Sequence, residues 1–434
     1  MTVSELKEKI SRGELDETLA ARCGVSPERL PELRRRILRC ADSFARLYDE
    51  AGERDVMLFS VGGRSEISGN HTDHNRGRVI AAAVSLQIIA VASPRADGII
   101  RLSSEGCREN LVLPGEIDAP NPEKQFSSDA LIAGMSRAVR DGGWQIGGFD
   151  ATTVSDVPRG SGLSSSAAFE VLVGTILSHL YNGGAVGAVE LAKMAQFAEN
   201  VYYGKPCGLM DQMACAVGGL ITIDFADADA PAVQTLPLDL GGAGYDLCIT
   251  ATGGSHADLN GDYAAVPGEM HDVAAALGVS VLRESSPEQL LAALPRIREA
   301  CGDRAVLRAL HFFSENDRVR EQADALRDGD LDRFFALVRA SGRSSFSYLQ
   351  NVFTPADVEH QGVSLALCLT ERFLTKQGRD RGAWRVHGGG FAGTVQAFVP
   401  HALSAQYKSY METVFGEGSV HVLQIRPAGA IRLL

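Results

Sequence analysis

Apolar residues recur at helical spacing near the start of the chain and later crowd into short runs. Ser26 is an N-cap residue and Pro27 suits a first helical turn. Leu33, Ile37, Ala41, Phe44 and Tyr48 then follow at steps of three and four. Residues 1–53 therefore read as a helical extension with one buried face, whose expected role is packing. From Asp55 the pattern changes. Val56–Val61 is a short apolar run ending in Gly62-Gly63, Val79–Val91 is a long one, and Ile99–Leu102 and Ala151–Val154 are short and β-prone. A Gly-rich turn and an apolar helix near 164–181 come next, followed by a strand at 219–223. Helices are expected near 267–277, 287–300, 305–313 and 315–327, and a second Gly-rich turn at 388–393 leads into a strand at 394–399. Strands and helices mix without a regular βαβ repeat, which predicts an α+β fold rather than a doubly wound sheet. The Ala-, Asp- and Pro-rich stretch Asp224–Pro237 suggests a boundary, giving units of 1–53, 54–235 and 236–434.

A length of 434 residues supports two domains. With 42 basic and 54 acidic residues the net charge is −12. That excludes a general electrostatic pull toward nucleic acid, so an anionic substrate must be held by a local arrangement. The eight cysteines are scattered without a C-x-x-C pair and read as reduced thiols of a cytoplasmic protein. The polar N-terminal stretch lacks the apolar run of a signal peptide. No run of about 18 apolar residues suggests a membrane span.

Four segments carry candidate chemistry. Pro158-Arg159-Gly160-Ser161-Gly162-Leu163-Ser164-Ser165-Ser166-Ala167-Ala168 follows a strand and opens a helix. Glycines allow close backbone approach, a helix N-terminus favours an anion, and the serines add hydroxyls that can also serve a magnesium ion. The segment lacks both the Gly-Lys-Ser/Thr of a Walker A loop and the third glycine of a dinucleotide fingerprint. An ordinary turn with a serine N-cap is the alternative. Gly62–Asn75 sets polar and ionisable groups between two apolar strands, as a polar loop suited to a polyhydroxy ligand. His71 and His74 within it also admit a metal pair, although no third ligand stands nearby. His387-Gly388-Gly389-Gly390-Phe391-Ala392-Gly393 is either a flexible turn or a ligand-facing one. Asp211, in the otherwise apolar Gly208–Ala216, either caps a helix or is placed for function.

Together these segments resemble the galactokinase branch of the GHMP small-molecule kinases. Gly63–Asn75 resembles GRxNxIGEHTDYN, Pro158–Ala168 resembles PxGxGLSSSAA, Cys207–Gln212 resembles CGIMDQ, and Gly388–Gly393 resembles GGGFGG. The resemblance covers most of residues 55–400. It implies a two-lobe α+β fold with the active site between the lobes, and transfer of phosphate from ATP to the anomeric hydroxyl of galactose. It implies that Gly160, Ser161, Gly162, Leu163, Ser164, Ser165, Ser166 and Ala167 wrap the ATP phosphates, and that Ser166 and Glu199 hold Mg2+. By the same resemblance Asp211 and Arg64 are catalytic, while Arg64, Asn70, His71, Asp73, Gly208, Asp211 and Tyr263 contact the sugar. Asn70 stands where the family has a glutamate that reaches toward C6; His74 replaces a tyrosine, Glu66 an asparagine and Gly62 a proline. An amide both donates and accepts where a carboxylate only accepts. Galacturonate, N-acetylgalactosamine and arabinose therefore remain alternative substrates, and a sugar sensor without turnover an alternative role. No nucleic-acid or membrane partner is expected, and the chain can be a monomer or a dimer.

Overall fold

The computed structural model describes residues 1–158, 162–254, 259–376 and 381–434. Three helices open the chain: α1 (Val3–Arg12), α2 (Asp16–Cys23) and α3 (Leu30–Tyr48). The apolar stripe read from the sequence is the buried face of α3, with Leu33, Ile37, Ala41 and Phe44 at 2% exposure or less.

The first sheet is built on β1 (Met57–Ser68) and β2 (Arg78–Arg95), with β3 (Ile100–Ser104), β4 (Asn110–Val112), β5 (Gly148–Ser155), β6 (Leu220–Asp224) and β7 (Ala232–Leu236). The second sheet holds β8 (Tyr245–Ala251), β9 (Ala383–His387), β10 (Thr394–Pro400) and β11 (Val420–Leu423); the chain's last strand, β12 (Ile431–Arg432), returns to the first. Strand order is β12-β1-β2-β5-β3-β4 in the first sheet, with β6 on β2 and β7 on β6, and β11-β8-β10-β9 in the second. β2 is long enough to pair with β6 through Arg78–Ala82 and with β5 through Ile88–Arg95. Only β3 and β5 pair in parallel among the described strands.

The near-continuous apolar run of β2 follows from burial on both faces. Leu58, Ile89, Val91 and Val154 pack against the N-terminal helices. Phe59, Ile88, Ala90 and Ala92 share a core with α4 (Ser128–Asp141), α5 (Ser165–Tyr181), α6 (Ala188–Phe197) and α7 (Met210–Val217). The remaining helices are α8 (Asn260–Leu277), α9 (Pro287–Ala292), α10 (Leu294–Cys301), α11 (Asp303–Arg327), α12 (Leu331–Ser344), α13 (Gly362–Leu374) and α14 (His401–Phe415). The two segments expected at 305–313 and 315–327 are one helix, α11. Among the described residues no helix is long and apolar enough to cross a membrane.

β1 runs further than its apolar part. Arg64, Ser65 and Glu66 continue the strand and pair with Ala83, Ala82 and Ala81 of β2. The first half of the expected polar loop is therefore a buried strand, whose Ser65 and Glu66 side chains find partners on β9 and β10 of the second sheet.

Candidate active site

The site begins where β1 meets the Gly-rich turn before α5. A Cβ on Gly63 would lie 2.8 Å from the Leu163 carbonyl oxygen, so a glycine lets the strand press against the turn. The Arg64 N–H donates to Leu163 O at 3.1 Å. The buried Arg64 side chain then reaches Asp211 and Gly162. Nε donates to Asp211 Oδ1 and Nη2 to Asp211 Oδ2, both at 2.7 Å, a bidentate pair. Nη1 donates to the Gly162 carbonyl.

Asp211 stands in the first turn of α7. Its Oδ2 also accepts from the Ser164 hydroxyl, so that serine spends its side chain on Asp211 and makes no cap for α5. Ser164 sits in the left-handed region with φ 52°. Non-glycine residues held there often mark function. Burial alone would raise the Asp211 proton affinity. The Arg64 charge, the hydrogen bonds from Arg64 and the Ser164 hydroxyl outweigh it and hold the carboxyl below the ordinary aspartate range.

Leu163 and Ala167 are buried in the core, which anchors the turn, while Ser165 and Ser166 line a cavity of about 640 Å³. Phe126, Phe169 and Tyr203 face the same cavity with Arg108, and Phe126 and Tyr203 meet edge to face at 5.5 Å. These aromatic residues come from segments far apart in sequence, and no local pattern marks them. Gly160 and Ser161 lie outside the described residues.

The second Gly-rich turn, at 388–393, meets the sugar-side residues from the C-terminal lobe. His71 Nε2 bonds Gly389 O at 2.9 Å, and the Tyr263 hydroxyl donates to Gly390 O at 2.9 Å. With Nε2 so engaged, and with no group of three or more metal-type side chains among the described residues, the His71–His74 metal pair finds no support. Asp73 comes up against Gly208, where a Cβ would lie 2.4 Å from Asp73 Oδ2.

Asn70 is 1% exposed and fully engaged by protein. Its Nδ2 donates to Glu66 Oε1 (2.9 Å) and Gly388 O (2.7 Å), and its Oδ1 accepts from Asn351 (2.7 Å) and Ser345 (3.2 Å). A direct contact from Asn70 to a sugar C6 group requires one of these bonds to break. Asn70 bridges the lobes beside the buried Glu66–Arg385 ion pair at 3.0 Å.

Glu199 is buried in a π-helical turn after α6. Gln212 Nε2 donates to Glu199 Oε2 at 2.8 Å and to Glu170 Oε2 at 3.3 Å, while Glu170 Oε1 is buried without a hydrogen-bond partner. Glu199 and Glu170 share this one amide, and burial together with the Glu199 charge raises the Glu170 proton affinity well above the usual glutamate range, while Lys205 lies 3.5 Å from Glu199. Oxygen donors of this kind, with a serine hydroxyl, fit a magnesium ion that takes most of its remaining ligands from phosphates and water. Glu170 and Gln212 leave only a weak mark in the sequence, a polar pair in otherwise apolar helices.

Two family models match the chain: the galactokinase galactose-binding signature over residues 42–94 and the GHMP kinases N terminal domain over residues 130–219. A galactokinase of Streptomyces coelicolor is 35% identical over 310 residues, covering 70% of this chain and 76% of the relative. One of Lactobacillus helveticus is 32% identical, covering 84% and 91%. The crystal structure of Lactococcus lactis galactokinase complexed with galactose superposes with a TM-score of 0.74 at 26% identity, over 90% of this chain and 98% of that one. A mevalonate kinase structure at 14% identity and a TM-score of 0.61 shares the fold.

Proposed function

The chain belongs to the galactokinase family of GHMP kinases, and from that premise we propose how its residues share the transfer of the ATP γ-phosphoryl group to the C1 hydroxyl of galactose. The bidentate Arg64–Asp211 pair beside the Gly162–Ser164 turn is the observation that carries the reading. Asp211 accepts a hydrogen bond from the C1 hydroxyl and aims its oxygen at the γ-phosphorus. As the new O–P bond forms and the bond to ADP breaks, the hydroxyl proton passes to Asp211. A carboxylate held below its ordinary range is a weak base, so orientation is its main contribution and the proton moves late. Arg64 fixes Asp211 and keeps positive charge beside the transferring group. The turn from Gly162 to Ala167 cradles the phosphates with the N-terminus of α5, and the aromatic cavity takes the nucleoside. Gly160 and Ser161 complete the cradle by their place in the motif. His71, Asp73, Gly208 and Tyr263 shape the sugar side.

Ser166 and Glu199 would hold Mg2+, which neutralises phosphate charge when bound. Ser166→Ala is expected to raise the KM for Mg·ATP about tenfold and to weaken Mn2+ binding seen by electron paramagnetic resonance, leaving the galactose Kd within about twofold. Equal effects on nucleotide and sugar would refute the assignment. Cysteines that form no disulfide among the described residues, together with small polar substrates, suit a cytoplasmic enzyme.

ADP release measured with galactose, galacturonate, N-acetylgalactosamine and arabinose tests the function. Galactose is expected to turn over fastest, with phosphorus NMR showing a C1 phosphate ester. A galacturonate rate above that of galactose would mean that Asn70 leaves its bridge to read C6. Binding of these sugars without turnover would make the chain a sensor.

A further inference from the structure

A chain of buried hydrogen bonds crosses between the lobes directly behind the phosphate-binding turn. It comprises Ser65 on β1, His387 on β9, and Thr394 and Gln396 on β10, none more than 3% exposed. Its direction follows from counting hydrogens. Ser65 Oγ donates to Gln396 Oε1 at 2.6 Å, and a hydroxyl has one proton to give. In its 3.1 Å contact with His387 Nε2, Ser65 must therefore accept, which places the imidazole proton on Nε2. Nδ1 of the neutral ring is then an acceptor, and Thr394 Oγ1 donates to it at 2.8 Å. Every member is satisfied with the ring uncharged.

The surroundings oppose a second proton. Burial, then the charges of Arg64 and Arg385, push the His387 pKa down to about 3. The ring also abuts the turn itself. A Cβ on Gly162 would lie 3.3 Å from His387 Nδ1 and 3.2 Å from Thr394 Oγ1, while the Gly162 carbonyl accepts from Arg64. Gly162 is thus pinned between the C-terminal lobe on one side and Arg64 on the other.

We propose that His387 is a positioning residue for phosphoryl transfer: as a neutral imidazole protonated at Nε2 it braces Gly162 from the C-terminal lobe and so fixes Arg64 against Asp211. This rests on the reading that the turn at 162–167 holds the ATP phosphates. The imidazole does not touch the reacting atoms. It sets the register of a backbone carbonyl that would otherwise be free to shift, and a displacement of about 1 Å in such a support can cost up to about a hundredfold in rate.

His387→Phe keeps a ring of similar shape and removes both hydrogen bonds. The expected result is a KM for ATP raised about tenfold with a lower kcat, while the galactose Kd stays within about twofold. Equal changes for both substrates, or none, would overturn the proposal. Should that variant fail to fold, Thr394→Val deletes the donor to Nδ1 and should show the same ATP-selective change at about threefold; its absence overturns the proposal equally. Long-range nitrogen–proton NMR of the intact wild type supplies the independent readout. The His387 ring should keep the Nε2-protonated neutral pattern from about pH 5 to 8, and titration in that window or an Nδ1-protonated ring would count against it. Wild-type turnover of ATP and galactose is measured first, so failure of the kinase reading is seen separately.

Discussion

Asp211→Asn is expected to lower kcat by about 10²–10⁴-fold while galactose still binds with a Kd within about tenfold of the wild type. The substitution is nearly isosteric and retains one oxygen for Arg64, so the pocket keeps its shape. It removes the group that orients the C1 hydroxyl and receives its proton. Calorimetric titration with galactose and a coupled ADP assay separate the two effects, and undiminished turnover would remove Asp211 from the mechanism. Stability has a matching sign. A carboxyl whose proton affinity is depressed on folding contributes stability above the ordinary aspartate range and loses it as pH falls through its folded value. The wild-type midpoint in acid should therefore fall more steeply than that of the Asn variant.

Arg64→Met should be the second severe lesion, lowering kcat/KM by about 10³-fold, the lower end of what an arginine on a transferring phosphoryl group contributes. Three things fail together: Asp211 loses its bidentate partner, the Gly162 carbonyl loses its donor, and positive charge leaves the site. Burial then dominates at Asp211 and raises its proton affinity, so the acid limb of the pH–rate profile should move upward relative to wild type. A limb that stays in place would show that Arg64 does not set the Asp211 charge state. The loss of stability should be smaller than the roughly 3–5 kcal/mol of a fully buried broken pair, because the Asp211 side chain keeps 32% exposure.

Much of the site was legible in sequence, because glycine turns and paired ionisable residues leave local marks. The resemblance implies that Arg64 pairs with Asp211, and the two lie in one hydrogen-bonded pair. The alternative of Ser164 as a helix cap was equally readable from the residues, and only the tertiary position of Asp211 decides between them. On sequence β1 ends early, because Gly-Gly followed by polar residues signals a loop. Its polar side chains are instead buried against the other lobe, where Glu66 meets Arg385 and Ser65 meets Gln396. α11 reads as two helices parted at Ser314 for a similar reason. A buried carboxylate interrupts the apolar pattern, yet Glu315 is held by the Ser68 hydroxyl, the Gly69 N–H, Ser341 and Arg318. The aromatic cavity was invisible, since Phe126, Phe169 and Tyr203 converge only after folding.

The placement of β12 bears on how the molecule assembles. Phe59 and Ser60 of β1 pair with Arg432 and Ile431, and the fully buried Arg426 donates to Ser60 and Gln87. One border of the first sheet stays open until residues from the far end of the chain arrive. Closure of so long a loop slows folding, and an unpaired β1 is a ready template for a wrong neighbour. During synthesis the first lobe must wait, half sealed, for the second to be made; chaperone dependence should therefore track exposure of β1 rather than stability of the finished cleft.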